Sequence, residues 1–181
     1  LGMEAFIAGA RQSDKAIYAQ AARQIKRYID TTLWDGDQLF RATSDGVALG
    51  TVSLSDYALT ARAMLAFSRW ANTPGDAELA HQMVLAAWGD FYRSNGWQRE
   101  RNPLLKGSEL HEVLRDEAMP AADAVLIEVS LELAREMNLP RLSEMARSAL
   151  NRFWEQLRAE AFFFPSRIRA LEVAIAAQTG S

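Results

Sequence analysis

The 181-residue chain contains no cysteine and only two histidines. Without cysteine it cannot be a disulfide scaffold, hold a thiolate zinc site or use a cysteine nucleophile. No stretch approaches 18 consecutive apolar residues, which excludes a transmembrane helix. The ten glycines are scattered and form no phosphate-binding loop, and the net charge of −3 disfavours nucleic-acid binding. We therefore expect neither nucleic acid nor a membrane among its partners.

The chain has enough apolar material for a packed core, since 49% of its residues are hydrophobic. Its beginning does not resemble a signal peptide, because no basic region precedes the apolar opening and Glu4 interrupts it. A cytoplasmic location is therefore expected. The chain also begins inside a helical pattern, with no capping residue ahead of Leu1. We expect residues 1–181 to form a single helical domain that is a fragment of a larger toroid.

Apolar residues recur at helical spacing in seven segments separated by turn signals. Ser13 and Asp14 are expected to cap the second helix, which should extend to residue 33. The fourth should extend to about Ser94, and residues 97–119 should be irregular. The helices are predicted to begin near Leu1, Asp14, Ser53, Asp76, Pro120, Pro140 and Ser166.

A short β-hairpin is predicted between the second and third helices. Leu39–Ala42 and Val47–Leu49 flank the polar sequence Thr43-Ser44-Asp45-Gly46. Asp-Gly between short apolar runs is a favoured hairpin turn. Helical spacing dominates the rest of the chain, so the predicted fold class is all-α.

The helices come in pairs that repeat along the chain. The second members of the pairs start near Asp14, Asp76 and Pro140, which lie 62 and 64 residues apart. The first, third and fifth helices are apolar almost all round, whereas the second and sixth carry one charged face. Such a contrast indicates alternating buried and surface helices. Two concentric layers of helical hairpins form an α/α toroid, and this chain would supply about half of an (α/α)6 toroid.

Three short sequences resemble a known family. They are Leu1–Ala10, Leu54-Ser55-Asp56-Tyr57-Ala58 and the stretch from Asp116 to Ala124. With the helical hairpins and the β-hairpin, they resemble the six-hairpin glycosidase-like toroids. The closest resemblance is to the C-terminal helical region of thioredoxin-domain-containing proteins related to spermatogenesis-associated protein 20. The last motif departs from the family at Glu117, Ala121, Ala122 and Asp123.

This resemblance implies a cavity at one end of the inner helices. Carbohydrate-active toroids use carboxylates there as general acid or base, and aromatic rings as sugar platforms. A carbohydrate-processing or sugar-isomerising activity is therefore implied, with a carbohydrate or other small molecule as ligand. The expected catalytic residues are Asp56, Asp116, Glu117 and Asp123. The expected substrate-binding residues are Tyr57, Trp97 and His111.

Histidine adds little to these expectations. His111 lies between Glu109 and Glu112, an arrangement suited to proton transfer or to a solvated loop. His81, the other histidine, falls on an outer helix, and its spacing from His111 is not that of two metal ligands. No metal and no cofactor are expected.

Each expected site residue also has a purely structural interpretation. Asp56 and Asp123 fall in first turns, where the helix dipole favours a carboxylate. Asp116 and Glu117 could cap the helix after Pro120 or lie in solvent, and the tryptophans could be core residues. On that interpretation the chain is a non-catalytic helical scaffold or a protein-interaction domain of a thioredoxin-linked protein. Its uncovered inner helices would then associate with a second copy or with the missing half of the toroid.

Overall fold

A computed structural model describes residues 2–13, 15–94, 96–101, 114–152 and 154–179. This part of the chain is all-α, with two small antiparallel hairpins. None of its helices is long and apolar enough to cross a lipid bilayer. The elements are α1 (Gly2–Gln12), α2 (Ala16–Tyr28), β1 (Ala42–Ser44), β2 (Val47–Leu49), α3 (Leu54–Ala71), α4 (Pro74–Phe91), β3 (Tyr92–Arg93), β4 (Gly96–Trp97), α5 (Ala122–Glu136), α6 (Pro140–Arg152), α7 (Trp154–Ala159) and α8 (Pro165–Thr179). A π-helical turn, Ile29–Leu33, continues α2, and a 3₁₀ turn, Ala161–Phe163, precedes α8.

The helices pack in two rows. In the inner row, α1 contacts α3, α3 contacts α5, and α5 contacts α8. In the outer row, each of α2, α4 and α6 packs against the helix before it and against the next helix of the inner row. Each outer helix therefore lies over the junction of two inner helices, which is the packing of successive helical hairpins.

Burial differs between α5 and α2 as the charge pattern predicts, whereas α4 of the outer row is buried about as much as α3 of the inner row. Every residue of α5 from Ala122 to Leu131 is buried. In α2, by contrast, Ala22 alone is buried. The first helix differs from the prediction, because in α1 only Met3 and Ile7 are buried. The reason is that α1 packs mainly against α2 and α3, so part of its circumference faces solvent.

The predicted β-hairpin is present, with its first strand shifted. Strand β1 pairs with β2 around a two-residue turn, in which Asp45 and Gly46 have φ angles of 50° and 77°. Two successive positive φ angles are those of a type I′ turn, whose twist matches that of paired strands. Leu39, which the sequence placed in the first strand, instead pairs with Trp34 in an isolated bridge.

Several helix ends differ from the sequence prediction. The N-cap of α2 is Lys15, which makes no side-chain cap, and the Ser13 hydroxyl instead donates to the Gly9 carbonyl at the end of α1. Asp14, the other expected cap, lies outside the described residues. Helix α4 ends at Phe91 because the chain enters the β3–β4 hairpin there. A short helix, α7, also precedes the 3₁₀ turn before α8.

Candidate functional site

A cavity of about 300 Å³, lined by apolar and charged side chains, lies where α3 and α5 begin. Helix α3 contributes its first residues and the Ser53 before it, and α5 contributes Ala122 and the residues just before it. The segment after β4 reaches the cavity because the Leu54 N–H donates to the Arg99 carbonyl at 2.9 Å. The cavity is lined by Ser53, Leu54, Ser55, Arg99, Glu100, Leu114, Arg115, Glu117, Ala118, Met119, Pro120, Ala121 and Ala122.

Two arginines and two glutamates supply the charges of this cavity. Arg99 Nη2 lies 3.4 Å from Glu117 Oε1, and both side chains are more than half exposed. Arg115 Nη2 lies 3.1 Å from Glu160 Oε2, outside the cavity lining. Glu100 is exposed and has no ion-pair partner in the described part of the chain. The cavity therefore offers both donors and acceptors to a ligand, and its charged groups are open to solvent.

Of the four expected catalytic carboxylates, Glu117 alone lines this cavity. The residues that accompany it, Arg99, Glu100 and Arg115, were not predicted as cavity residues. No local pattern identifies Arg99 and Glu100, because an isolated bridge between Ser53 and Glu100 is what places that segment beside α3.

Asp56 closes the capping box of α3. Its carboxylate accepts from the Ser53 N–H at 2.9 Å and from the Ser53 hydroxyl at 2.7 Å. Its own N–H donates to Ser53 Oγ at 3.3 Å. This reciprocal arrangement satisfies backbone donors at a helix start. The helix-start interpretation of Asp56 therefore accounts for every polar contact of its carboxylate in the described structure.

Asp116 holds the beginnings of two helices. Its carboxylate accepts from the Ala121 N–H at 2.9 Å and from the Ser166 N–H at 3.0 Å. The Ser166 hydroxyl donates to the same carboxylate. Because Ala121 precedes α5 and Ser166 lies in the first turn of α8, this one side chain joins two neighbouring helices of the inner row.

Asp123 lies in the interior, behind the cavity lining. Its side chain is 0% exposed and forms an ion pair with Arg167 of α8, which is 1% exposed. The Leu114 N–H donates to Asp123 Oδ2 at 3.3 Å. Burial raises the pKa of the Asp123 carboxyl, and the charge of Arg167 opposes that rise. Since its oxygens face Arg167 and backbone donors, the carboxylate is positioned to hold α8 against α5.

Tyr57 and Trp97, expected to contact substrate, are core residues instead. Both are 0% exposed. The Tyr57 hydroxyl accepts from the Leu39 N–H at 2.9 Å, and burial raises the pKa of this phenol. The Trp97 ring packs between Trp88 and Tyr92, with ring centroids 4.8 and 4.6 Å away. A fully buried ring offers no surface to a ligand, so this expectation is corrected for both residues.

The third expected substrate-binding residue, His111, lies outside the described residues. Among the described residues, no group of three or more His, Asp or Glu side chains is placed to share a metal ion. The described fold and cavity together define an all-α protein of packed helical hairpins with a cavity, lined by apolar and charged side chains, where α3 and α5 begin. No protein-family model matches the chain, and no curated protein matches its sequence.

Proposed function

We propose that the chain is an arc of an α/α toroid that binds a carbohydrate in the cavity where α3 and α5 begin. The observation that carries this proposal is the set of charged side chains in the cavity, Arg99, Glu100, Arg115 and Glu117. Sugar hydroxyls both donate and accept hydrogen bonds, so guanidinium and carboxylate groups side by side suit them. A volume of about 300 Å³ is at the lower end for small-molecule sites and suits one sugar ring.

Glu117 is the carboxylate that we assign to acid–base chemistry. Asp56, Asp116 and Asp123 each satisfy backbone donors or a buried arginine, and none of them lines the cavity. Glu117 contacts only Arg99 among charged side chains of the described structure and is 68% exposed, so a ligand can reach it. Glu100 is the second carboxylate of the cavity, and a glycosidase mechanism needs two.

Titration calorimetry against neutral, amino and acidic monosaccharides tests this proposal. Glu117→Gln and Arg99→Gln should each weaken binding about tenfold or more, because each removes a charged hydrogen-bonding group. Glu172→Gln, at an exposed position of α8 outside the cavity lining, is the matched control and should change nothing. If no sugar binds the wild-type protein, or if both cavity variants bind as it does, the assignment is wrong.

The second candidate function is a helical scaffold without catalysis. It is favoured by the structural roles of three expected catalytic carboxylates, Asp56, Asp116 and Asp123. Turnover distinguishes the two candidates. If sugars bind but none is converted, and Glu117→Gln changes only the binding affinity, the chain is a binding scaffold. We also propose, with the scaffold function, that the chain belongs to the thioredoxin-linked family. An upstream thioredoxin-like domain in the parent reading frame would support this membership.

Association with a second copy, or with the missing half of a toroid, also stays a proposal. It is supported by α8, which exposes Ile168 and Ile175 by 37% and 52%. These residues are seven apart and share one side of the helix. Light scattering at increasing protein concentration tests self-association, and a constant monomer mass would refute it.

A further inference from the structure

Two adjacent phenylalanines project from the turn before α8. Phe162 is 90% exposed and Phe163 is 46% exposed, and their rings meet edge to face with centroids 5.5 Å apart. A single exposed apolar side chain needs no explanation, but two large rings together on one turn form an apolar patch. The next residue, Phe164, is 1% exposed, so it anchors the turn in the core.

The patch and the cavity share a wall. Arg115 lines the cavity, and its Cζ lies 5.1 Å from the centroid of the Phe163 ring. The Asp116 N–H donates to the Phe163 carbonyl at 3.2 Å. The Arg115 guanidinium also pairs with Glu160 at the start of the aromatic turn. A ligand that leaves the cavity over Arg115 therefore meets the phenylalanine rings next.

This sequence of groups matches the two kinds of surface that a sugar chain presents. A pyranose ring has hydroxyls around its edge and an apolar face of C–H groups. Charged donors and acceptors satisfy the edge, and an exposed aromatic ring covers the apolar face. Beside the patch, Arg115 is paired with Glu160, so this guanidinium is less available to an anionic lipid surface.

We propose that Phe162 and Phe163 form a second subsite, which extends the cavity so that the protein binds an oligosaccharide rather than a single sugar. This inference rests on the proposed carbohydrate-binding function of the cavity. One sugar unit lies in the cavity beside Glu117, the second crosses Arg115, and a later unit stacks on the exposed rings. Phe162 contributes more of that platform than Phe163, because Arg115 already covers part of the Phe163 ring.

The experiment compares affinities for short and long sugars. The probes are disaccharides and hexasaccharides of three series (maltose, cellobiose and chitobiose with their hexamers), measured by titration calorimetry. Wild-type protein should bind one hexamer more tightly than its dimer. Phe162→Ala should weaken hexamer binding about two- to tenfold, the range expected for loss of one stacking contact, and should leave dimer binding unchanged. Phe162→Trp should retain the hexamer affinity.

Tyr28→Ala is the matched control, because Tyr28 is also an exposed aromatic residue, 48% exposed, but lies on α2 outside the cavity lining. If the dimer binds and Phe162→Ala does not change hexamer affinity, the second subsite is wrong and the cavity proposal stands. If no sugar binds wild-type protein, both fall. Binding to vesicles containing phosphatidylserine tests a membrane as the partner of the patch, and light scattering of the protein tests a second copy. If Phe162→Ala abolishes vesicle binding seen with wild-type protein, the patch is a membrane contact and the subsite is wrong. If it abolishes a homodimer mass seen with wild-type protein, the patch contacts a second copy and the subsite is equally wrong.

Discussion

Replacing Arg167 with methionine should destabilise the protein by about 3–5 kcal/mol at pH 7, because it leaves a buried carboxylate without its cation. Asp123 and Arg167 are 0% and 1% exposed, so water cannot replace the lost partner. The remaining donor from a neighbouring segment is the Leu114 N–H, at 3.3 Å. A loss of this size is a large part of the total stability of a domain, which is about 5–15 kcal/mol.

The free energy of unfolding lost in Arg167→Met should depend on pH, and the ionisation of Asp123 sets the direction of that dependence. Burial raises the pKa of this carboxyl above 3.8, and Arg167 is the largest influence that opposes the rise. Without Arg167 the pKa rises further. A carboxyl with a higher pKa in the folded state binds its proton more tightly there, so stability is greatest below the unfolded pKa and is lost as pH rises through the folded pKa. The variant should therefore lose up to about 1.4 kcal/mol per pH unit, relative to wild type, between the folded-state pKa of Asp123 in the wild type and its higher folded-state pKa in the variant.

Urea denaturation followed by tryptophan fluorescence measures both effects. The free energy of unfolding should be compared at pH 5 and pH 7 for wild type, Arg167→Met, and Arg167→Met combined with Asp123→Asn. The double variant should recover part of the loss and its extra pH dependence should disappear. Glu160→Gln, which removes the exposed pair with Arg115, is the control and should cost less than about 1 kcal/mol. A cost below 1 kcal/mol for Arg167→Met at pH 7, or a cost that grows at lower pH, would refute the reasoning.

Four further predictions concern single side chains. Ser53→Ala should lower the free energy of unfolding by about 1 kcal/mol, because it removes half of the capping box of α3. Asp116→Ala should cost about 2 kcal/mol or more by the same urea assay, since its carboxylate accepts from the starts of two helices. Gly46→Ala should cost about 1–2 kcal/mol although the space around it is open, because its φ is 77°. Two backbone donors lower the pKa of Asp35 below 3.8, and an NMR titration midpoint at or above that value would contradict this contact.

The elements that the sequence predicted well are helices with a local signal at their N-terminus. Helix α3 begins after Ser53, whose side chain and that of Asp56 form the capping box expected from a Ser followed three residues later by an acid. Helix α6 begins at Pro140 as predicted, and α4 begins at Pro74, two residues before the predicted start near Asp76; at both prolines a missing N–H costs nothing. The interactions that start these helices lie within one helical turn, so they can be predicted from the local sequence.

A cavity lies in the region where the sequence places the expected carboxylates, but only Glu117 among them lines it. The roles of Asp116 and Asp123 depend on Ser166 and Arg167, which lie 50 and 44 residues further along the chain. Nothing in the local pattern of a first-turn carboxylate tells whether a distant arginine will bury against it. The burial of Tyr57 was missed for the same reason, because its hydroxyl accepts from the Leu39 N–H, 18 residues earlier in the chain.

The cavity depends on α8, although no residue of α8 lines it. Asp116, next to the lining residues Arg115 and Glu117, is tied to Ser166 of α8. Leu114, also in the lining, donates to Asp123, which in turn pairs with Arg167 of α8. Removing α8 would therefore release the wall that carries Arg115 and Glu117, not merely shorten the row of helices. Asp116 and Asp123, expected to perform the chemistry, instead hold that wall in place, so their substitution would weaken the proposed sugar binding through the fold. Variants of Glu117 and Arg99, whose side chains are solvent-exposed, separate a direct role from this indirect one.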